Sequence, residues 1–156
     1  MEIRITSGTG EAGTRKGAFD KALYETGLAN YNLVELSSII PEGARIRRKN
    51  METDEERYGD KAYVVLSKSV ATEQGREAWA SLGWHYHTED QKGVFVEYDG
   101  ETEDEVTRKI EDAVNTLHQE RRNSEAELHM EKKGIECDGN PVCAIVAAVY
   151  DIERWD

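Results

Sequence analysis

The sequence predicts a single α/β domain whose sheets carry helices on their outer faces. Three observations carry that prediction. At 156 residues the chain is long enough for one core and too short for two ordinary domains. Short segments alternating apolar and polar residues recur along it, the period-two signature of strands. Two longer segments instead carry a helical stripe, and the second has a charged opposite face, as a helix lying on a sheet does.

Element by element, Glu2-Ile3-Arg4-Ile5-Thr6 alternates and reads as a strand over residues 2–6. Gly8-Thr9-Gly10-Glu11-Ala12-Gly13 reads as a glycine-rich turn leading to Thr14, a helix cap. Ala18, Phe19, Ala22, Leu23 and Thr26 form a helical stripe that stops at Gly27, a residue suited to the C′ position. Tyr31 to Leu36 is a strand, and Ala44 to Lys49 another after the Pro41-Glu42-Gly43 turn. Charged residues 50–60 read as a loop, and Lys61 to Thr72 as a long strand. Glu73 to Leu82 reads as a short helix ahead of a strand at Gly83-Trp84-His85-Tyr86-His87. Gly93 to Tyr98 is a strand ending in an Asp99-Gly100 turn. Thr102 opens a helix with Val106, Ile110, Ala113, Val114 and Leu117 on one face. Glu127 to Glu136 and Val142 to Tyr150 close the chain as strands.

Composition excludes some function classes. A net charge of −12 argues against nucleic acid, since phosphate binding needs a basic surface. That charge has three readings: solubility, a salt-rich cytoplasm (nine lysines against eleven arginines lean that way), or attraction of a cationic substrate. Met1 leads straight into the first strand without a signal core, and no run approaches the ~20 apolar residues of a membrane span. The expectation is a cytoplasmic protein with no membrane partner.

Cys137 and Cys143 flank an Asp-Gly-Asn-Pro turn; in a reducing compartment they read as one buried thiol and one incidental thiol. His85-x-His87 lacks third and fourth ligands at zinc spacing, so no metal is expected and the histidines read as surface or core-edge residues. Trp79 and Trp84 read as packing residues. Gly8-x-Gly10-x-x-Gly13 between a strand and a helix is formally a dinucleotide fingerprint, with Glu35 near the distance expected of the ribose-binding acid. Glu35 lies inside a strand, however, and no further βαβ units follow. Those glycines read better as a place where backbone passes close to backbone.

The most informative feature is Ser37-Ser38. A β-prone segment, Tyr31-Asn32-Leu33-Val34-Glu35-Leu36, ends on two serines and restarts as Ile39-Ile40-Pro41. A solvated strand end is one reading. Chemistry offers another: Ser38 Oγ attacks the Ser37 carbonyl, the peptide becomes an ester, and β-elimination breaks the chain. The dehydroalanine left at position 38 hydrolyses to a pyruvoyl group, a built-in electrophile.

The surrounding blocks bear on that choice. Gly17-Ala18-Phe19-Asp20-Lys21-Ala22-Leu23, Gly27-Leu28-Ala29-Asn30-Tyr31-Asn32-Leu33 and Leu36-Ser37-Ser38-Ile39-Ile40-Pro41 come first. With Val94-Phe95-Val96-Glu97-Tyr98-Asp99-Gly100 and the run around Cys143-Ala144-Ile145, the chain resembles the pyruvoyl-dependent arginine decarboxylases in family order. The likeness weakens between Arg45 and Lys61, where the chain is charged and lacks the family's prolines.

The resemblance implies a four-layer αββα sandwich, residues 1–156 as one domain, and self-cleavage between Ser37 and Ser38. The products are a β chain of residues 1–37 and an α chain of residues 38–156, assembled as a trimer of αβ protomers. The implied cofactor is the pyruvoyl group derived from Ser38. The implied reaction is decarboxylation of L-arginine to agmatine and CO2 through a Schiff base with that group. The alternatives are a pyruvoyl decarboxylase of another amino acid, or an unprocessed, non-catalytic homologue acting as a partner subunit.

Three further residues complete the candidate site. Asn32 lies six residues before Ser38 on an extended segment, so the two can share a sheet face. The family position of Asn32 implies a role in processing, and closing a turn beside Tyr31 is its plain alternative. Glu97 interrupts the apolar Val94-Phe95-Val96; a buried acid holds its proton tightly, which suits the donor that protonates the α-carbon after CO2 leaves. An edge-facing glutamate is the other reading. In this scheme Glu97 serves decarboxylation and not cleavage. Asp20 matches the family's carboxylate for the guanidinium end of the substrate, although Asp20-Lys21 also fits ordinary helix surface.

Overall fold

Two sheets face each other across a buried apolar layer in the computed structural model, which describes residues 1–87, 89–121 and 127–156. The first sheet contains β1 (Glu2–Glu11), β2 (Asn32–Glu35), β4 (Arg45–Arg48), β5 (Lys61–Ala71) and β9 (Val142–Glu153), in the order β2-β5-β9-β1-β4. The second contains β3 (Ile39–Ile40), β6 (Glu77–Tyr86), β7 (Gly93–Gly100) and β8 (Glu127–Glu136), in the order β3-β7-β6-β8. Helix α1 (Arg15–Thr26) covers the first sheet and α2 (Glu103–Arg121) the second. The result is the αββα sandwich.

Strand alternation divides the apolar residues among three layers. On β9, Val142, Ala144, Val146 and Ala148 point between the sheets, where they meet Ala78, Ala80, Leu82, Trp84 and Phe95. Cys143, Ile145, Ala147 and Val149, of opposite parity, pack with Ala18, Ala22 and Leu23 of α1. Val96 of β7 turns outward to Ile110 and Val114 of α2. Both central strands are therefore apolar on two faces.

The helix ends follow their expected chemistry. Thr14 Oγ1 accepts from the Gly17 N–H at 3.0 Å, and Gly27 closes α1 at φ 82°. Thr102 Oγ1 accepts from the Glu105 N–H while Glu105 accepts from the Glu101 N–H, a reciprocal cap on α2. Among the described residues no helix is long and apolar enough to cross a membrane.

Several expectations need correction. The first strand does not stop at residue 6: β1 runs to Glu11, and Gly8 and Gly10 are strand residues lying beneath α1. The predicted helix at 73–82 is absent; Glu77–Tyr86 is one strand, because Ala78, Ala80, Leu82 and Trp84 alternate into the core. There are nine strands among the described residues, the two-residue β3 being too short for any periodicity to reveal. β7 and β9 outlast their predicted ends at residues 98 and 150. Both cysteines are buried and free: Cys137 lies in the layer between the sheets and Cys143 under α1. His85 is a core residue whose ring centroid lies 3.8 Å from that of His118 on α2.

One crossing carries Ser37 and Ser38. β2 is an edge of the first sheet and β3 an edge of the second, so residues 36–38 carry the chain from one sheet to the other.

Candidate active site

The crossing is fastened at both ends. The Leu36 N–H donates to the Val64 carbonyl at 2.8 Å, holding it to the first sheet. The Phe95 N–H donates to the Ser38 carbonyl at 2.8 Å, holding it to the second. Exposed Ser37 lies between these ties. The turn this requires falls on Ser38, whose φ of 72° lies in the left-handed region. Side chains other than glycine are strained there by roughly 1–2 kcal/mol. Ser38 and Gln91 alone among the described non-glycine residues have positive φ.

Glu97 reaches this strained residue. Phe95 and Glu97 share a parity on β7, so with Phe95 in the inter-sheet core, Glu97 faces the rim of that layer. Ser38 Oγ donates to Glu97 Oε1 at 2.6 Å, the length of a charge-assisted bond. Both residues are half-buried. The bond offsets the cost of seating a polar side chain on the edge of an apolar layer.

Tyr150 completes the constellation. It ends the inward run of Val146 and Ala148 on β9 and crosses the inter-sheet gap. Its hydroxyl donates to the Ile39 carbonyl at 2.8 Å, and its ring meets Phe95 edge-on at 6.1 Å. Burial, and after it the charge of nearby Glu97, push the phenol well above its ordinary range, so it remains a donor. Sequence reasoning did not select Tyr150. A tyrosine at the inward parity of a run of small apolar residues is the available signal, since a phenol set against an apolar core needs a partner.

The other candidates lie elsewhere on this chain. Asn32 is exposed at the start of β2, where its Nδ2 donates to the Gly59 carbonyl at 2.7 Å. It does not share a sheet face with Ser38, because the chain leaves the first sheet after Glu35. Asp20 is exposed on α1, in the outer layer beyond the first sheet. Among the described residues no group of three or more His, Cys, Asp or Glu is disposed to hold a metal. A cleft of about 470 Å³ lined by Arg76, Glu101 and Lys109 includes none of the candidate residues.

The arrangement suits a group made from Ser38. A hydroxyl sits on a strained residue, next to exposed Ser37, with a carboxyl oxygen in contact that can receive its proton. The backbone beyond it is fixed by the Phe95 N–H on the Ser38 carbonyl and the Tyr150 hydroxyl on the Ile39 carbonyl.

Comparison with known proteins identifies the family. The family model for pyruvoyl-dependent arginine decarboxylase matches residues 2–154. Among curated proteins, the chain is similar to pyruvoyl-dependent arginine decarboxylase 2 of Archaeoglobus fulgidus, at 31% identity over 101 residues, 64% of each chain. It is similar to the pyruvoyl-dependent arginine decarboxylase of Methanothermobacter thermautotrophicus, at 39% over 75 residues, 48% of this chain and 47% of that one. Against the protein of that name from Halobacterium salinarum, identity is 29% over 150 residues, 95% of this chain and 92% of the other. The matches to the first two thus span less than two thirds of those proteins.

Proposed function

This chain belongs to the pyruvoyl-dependent arginine decarboxylase family, and on that premise we propose that it converts L-arginine to agmatine and CO2 with a pyruvoyl group made from its own Ser38. The observation that carries the proposal is the 2.6 Å contact between Ser38 Oγ and Glu97 on a left-handed residue.

The contact supports a part for Glu97 in cleavage, which the sequence alone did not suggest. Glu97 takes the proton of Ser38 Oγ as that oxygen bonds to the Ser37 carbonyl carbon. The peptide C–N bond then breaks, and the nitrogen of residue 38 gains a proton. Loss of the Cα proton breaks the Cβ–Oγ bond and frees the Ser37 carboxylate. Water then replaces the nitrogen, which leaves as ammonia. Residues 1–37 and 38–156 result. The strain at Ser38 is released in the same event, which favours cleavage.

The pyruvoyl group supplies an electrophilic ketone and an electron sink for loss of CO2. The chain's own residues supply the rest. The Phe95 N–H orients the carbonyl of residue 38. Glu97 returns a proton to the substrate α-carbon, general acid catalysis worth about 10²–10⁴-fold. Asp20 pairs with the guanidinium end of arginine. Since Asp20 stands on the outer layer of its own chain, it serves the site of a neighbouring protomer in the trimer we propose. Asn32, bonded to Gly59, holds the start of β2 in the uncleaved chain.

Intact-mass measurement and CO2 release from carboxyl-labelled arginine test this reading. The expected result is two fragments split between residues 37 and 38, with release from arginine and not from ornithine, histidine or aspartate. A chain that stays whole after prolonged warm incubation points to a non-catalytic partner subunit. Equal release from arginine and another amino acid rejects arginine as the dedicated substrate.

A further inference from the structure

We infer that Tyr150 is a positioning residue that holds the new chain end at residue 38 in register with Glu97 after cleavage. The inference rests on the self-cleavage proposed above. In the uncleaved chain, residue 38 is held from both sides. Upstream, the peptide bond to Ser37 connects it to Leu36, whose N–H is bonded to Val64 of the first sheet. Downstream, it continues into β3. Cleavage removes the upstream hold entirely.

What is left is slender. β3 pairs with β7 at only Ile39↔Val94 and Ile40↔Gly93, and it is an edge strand. Short edge pairings at a chain terminus fray. Two ties oppose that fraying: the Phe95 N–H on the Ser38 carbonyl, and the Tyr150 hydroxyl on the Ile39 carbonyl at 2.8 Å. The first comes from the same sheet as Glu97. The second comes from β9, the central strand of the opposite sheet, and is a side-chain tie across the gap. Tyr150 thereby fixes residue 39 relative to both sheets, and residue 38 with it. Its ring is seated edge-on against Phe95, one residue removed from Val96 and two from Glu97. A rigid anchor on a central strand suits a reaction in which small displacements cost rate steeply.

The tie therefore bears on decarboxylation more than on cleavage. Before cleavage the covalent chain does part of Tyr150's work; afterwards nothing upstream does. Tyr150→Phe isolates the hydroxyl, since it keeps the ring and its packing on Phe95. In the full-length protein we expect cleavage within about twofold of wild type by timed intact mass, and KM for arginine within about twofold. kcat should fall about 3- to 10-fold, the range of one hydrogen bond. The melting temperature of the cleaved protein serves as the packing control and should stay close to wild type. Tyr150→Leu, which removes the ring too, should lower kcat further.

A kcat for Tyr150→Phe within twofold of wild type overturns the inference. So does a loss of cleavage as large as the loss of kcat, because that places the hydroxyl in the precursor instead. The wild-type arm separates this from failure of the parent reading: uncleaved wild-type protein overturns the self-cleavage proposal, and this inference with it.

Discussion

At Gly8 and Gly10 the backbone of β1 lies directly against the backbone of α1, whereas at Ser38 the backbone is drawn across the open gap between two sheets. A Cβ on Gly10 would come within 2.3 Å of the Ala18 carbonyl oxygen and 2.5 Å of the Ala22 nitrogen. No side chain fits there, so the glycines are demanded by contact. At Ser38 the demand is reversed. A left-handed φ invites glycine, yet a serine occupies the position and its hydroxyl is bonded to Glu97. Where a residue suits its conformation, packing explains it. Where a residue resists its conformation and also bonds a carboxylate, as Ser38 does, we propose a chemical role.

Substitution at Ser38 should separate these two regions most sharply. Ser38→Ala removes the only atom that can attack the Ser37 carbonyl in the proposed scheme. Cleavage should be abolished and the chain stay at full length, while loss of the half-buried Ser38–Glu97 bond should lower folded stability by roughly 1–3 kcal/mol at most. A mass spectrum showing fragments split at residue 37 in Ser38→Ala would remove the hydroxyl from the mechanism.

Glu97→Gln comes next in size. The amide keeps a hydrogen-bonding oxygen for Ser38 but cannot take or return a proton usefully. Turnover by the cleaved fraction should fall about 10²–10⁴-fold, and cleavage should slow as well, since the same atom touches the attacking oxygen. Normal cleavage with abolished turnover would confine Glu97 to decarboxylation, as the sequence alone suggested. Wild-type rates for both would exclude it from either.

These two residues were legible in the sequence because their types conflict with their surroundings. Two serines interrupt an apolar run, and an acid sits among Val94, Phe95 and Val96. α2 was legible for the opposite reason, its apolar stripe matching the helical period and packing on Val96 as Ile110 and Val114. Three things were hidden. The first part of the strand at residues 77–86, up to Leu82, was obscured by its charged beginning and its alanines, which carry little period-two contrast. β1 beyond Thr6 was hidden by glycines that signal a turn unless a helix lies over them. The partner of Tyr150, the Ile39 carbonyl, lies on the opposite sheet, so its inward parity in β9 marks the tyrosine while nothing local identifies what it bonds.

Asp20 tests whether α1, the helix seated on Gly8 and Gly10, also carries function. Asp20→Asn should cleave normally and raise KM for arginine about 10- to 100-fold, the loss of a charge-assisted pair worth roughly 1.5–3 kcal/mol. Mixing Asp20→Asn with Ser38→Ala chains probes the proposed sharing between protomers. In a mixed trimer, a cleaved wild-type-like site arises only if Asp20 comes from the uncleaved neighbour, so mixing should restore part of the activity at low arginine. An unchanged KM would return Asp20 to ordinary helix surface.

Gly10→Ala should have the smallest effect on chemistry while acting on the fold. The added Cβ meets backbone atoms of α1 at distances that side-chain rotation cannot relieve, so α1 must lift or β1 must bend. Overpacking of this kind costs about 1–3 kcal/mol. For a domain of this size that lowers the melting temperature by roughly 3–10 °C. Ser38 and Glu97 belong to the crossing and to β7, on the other side of the first sheet from this seam, so the cleaved fraction at 25 °C should match wild type. If α1 shifts, Asp20 shifts with it, and KM for arginine should rise a few-fold while kcat holds. Circular dichroism melts, intact mass and steady-state kinetics on the same preparation read all three quantities. An unchanged melting temperature would show that the seam is slack. Lost cleavage in a folded Gly10→Ala protein would show that the glycine seam and the serine crossing are mechanically coupled, against the separation drawn between them.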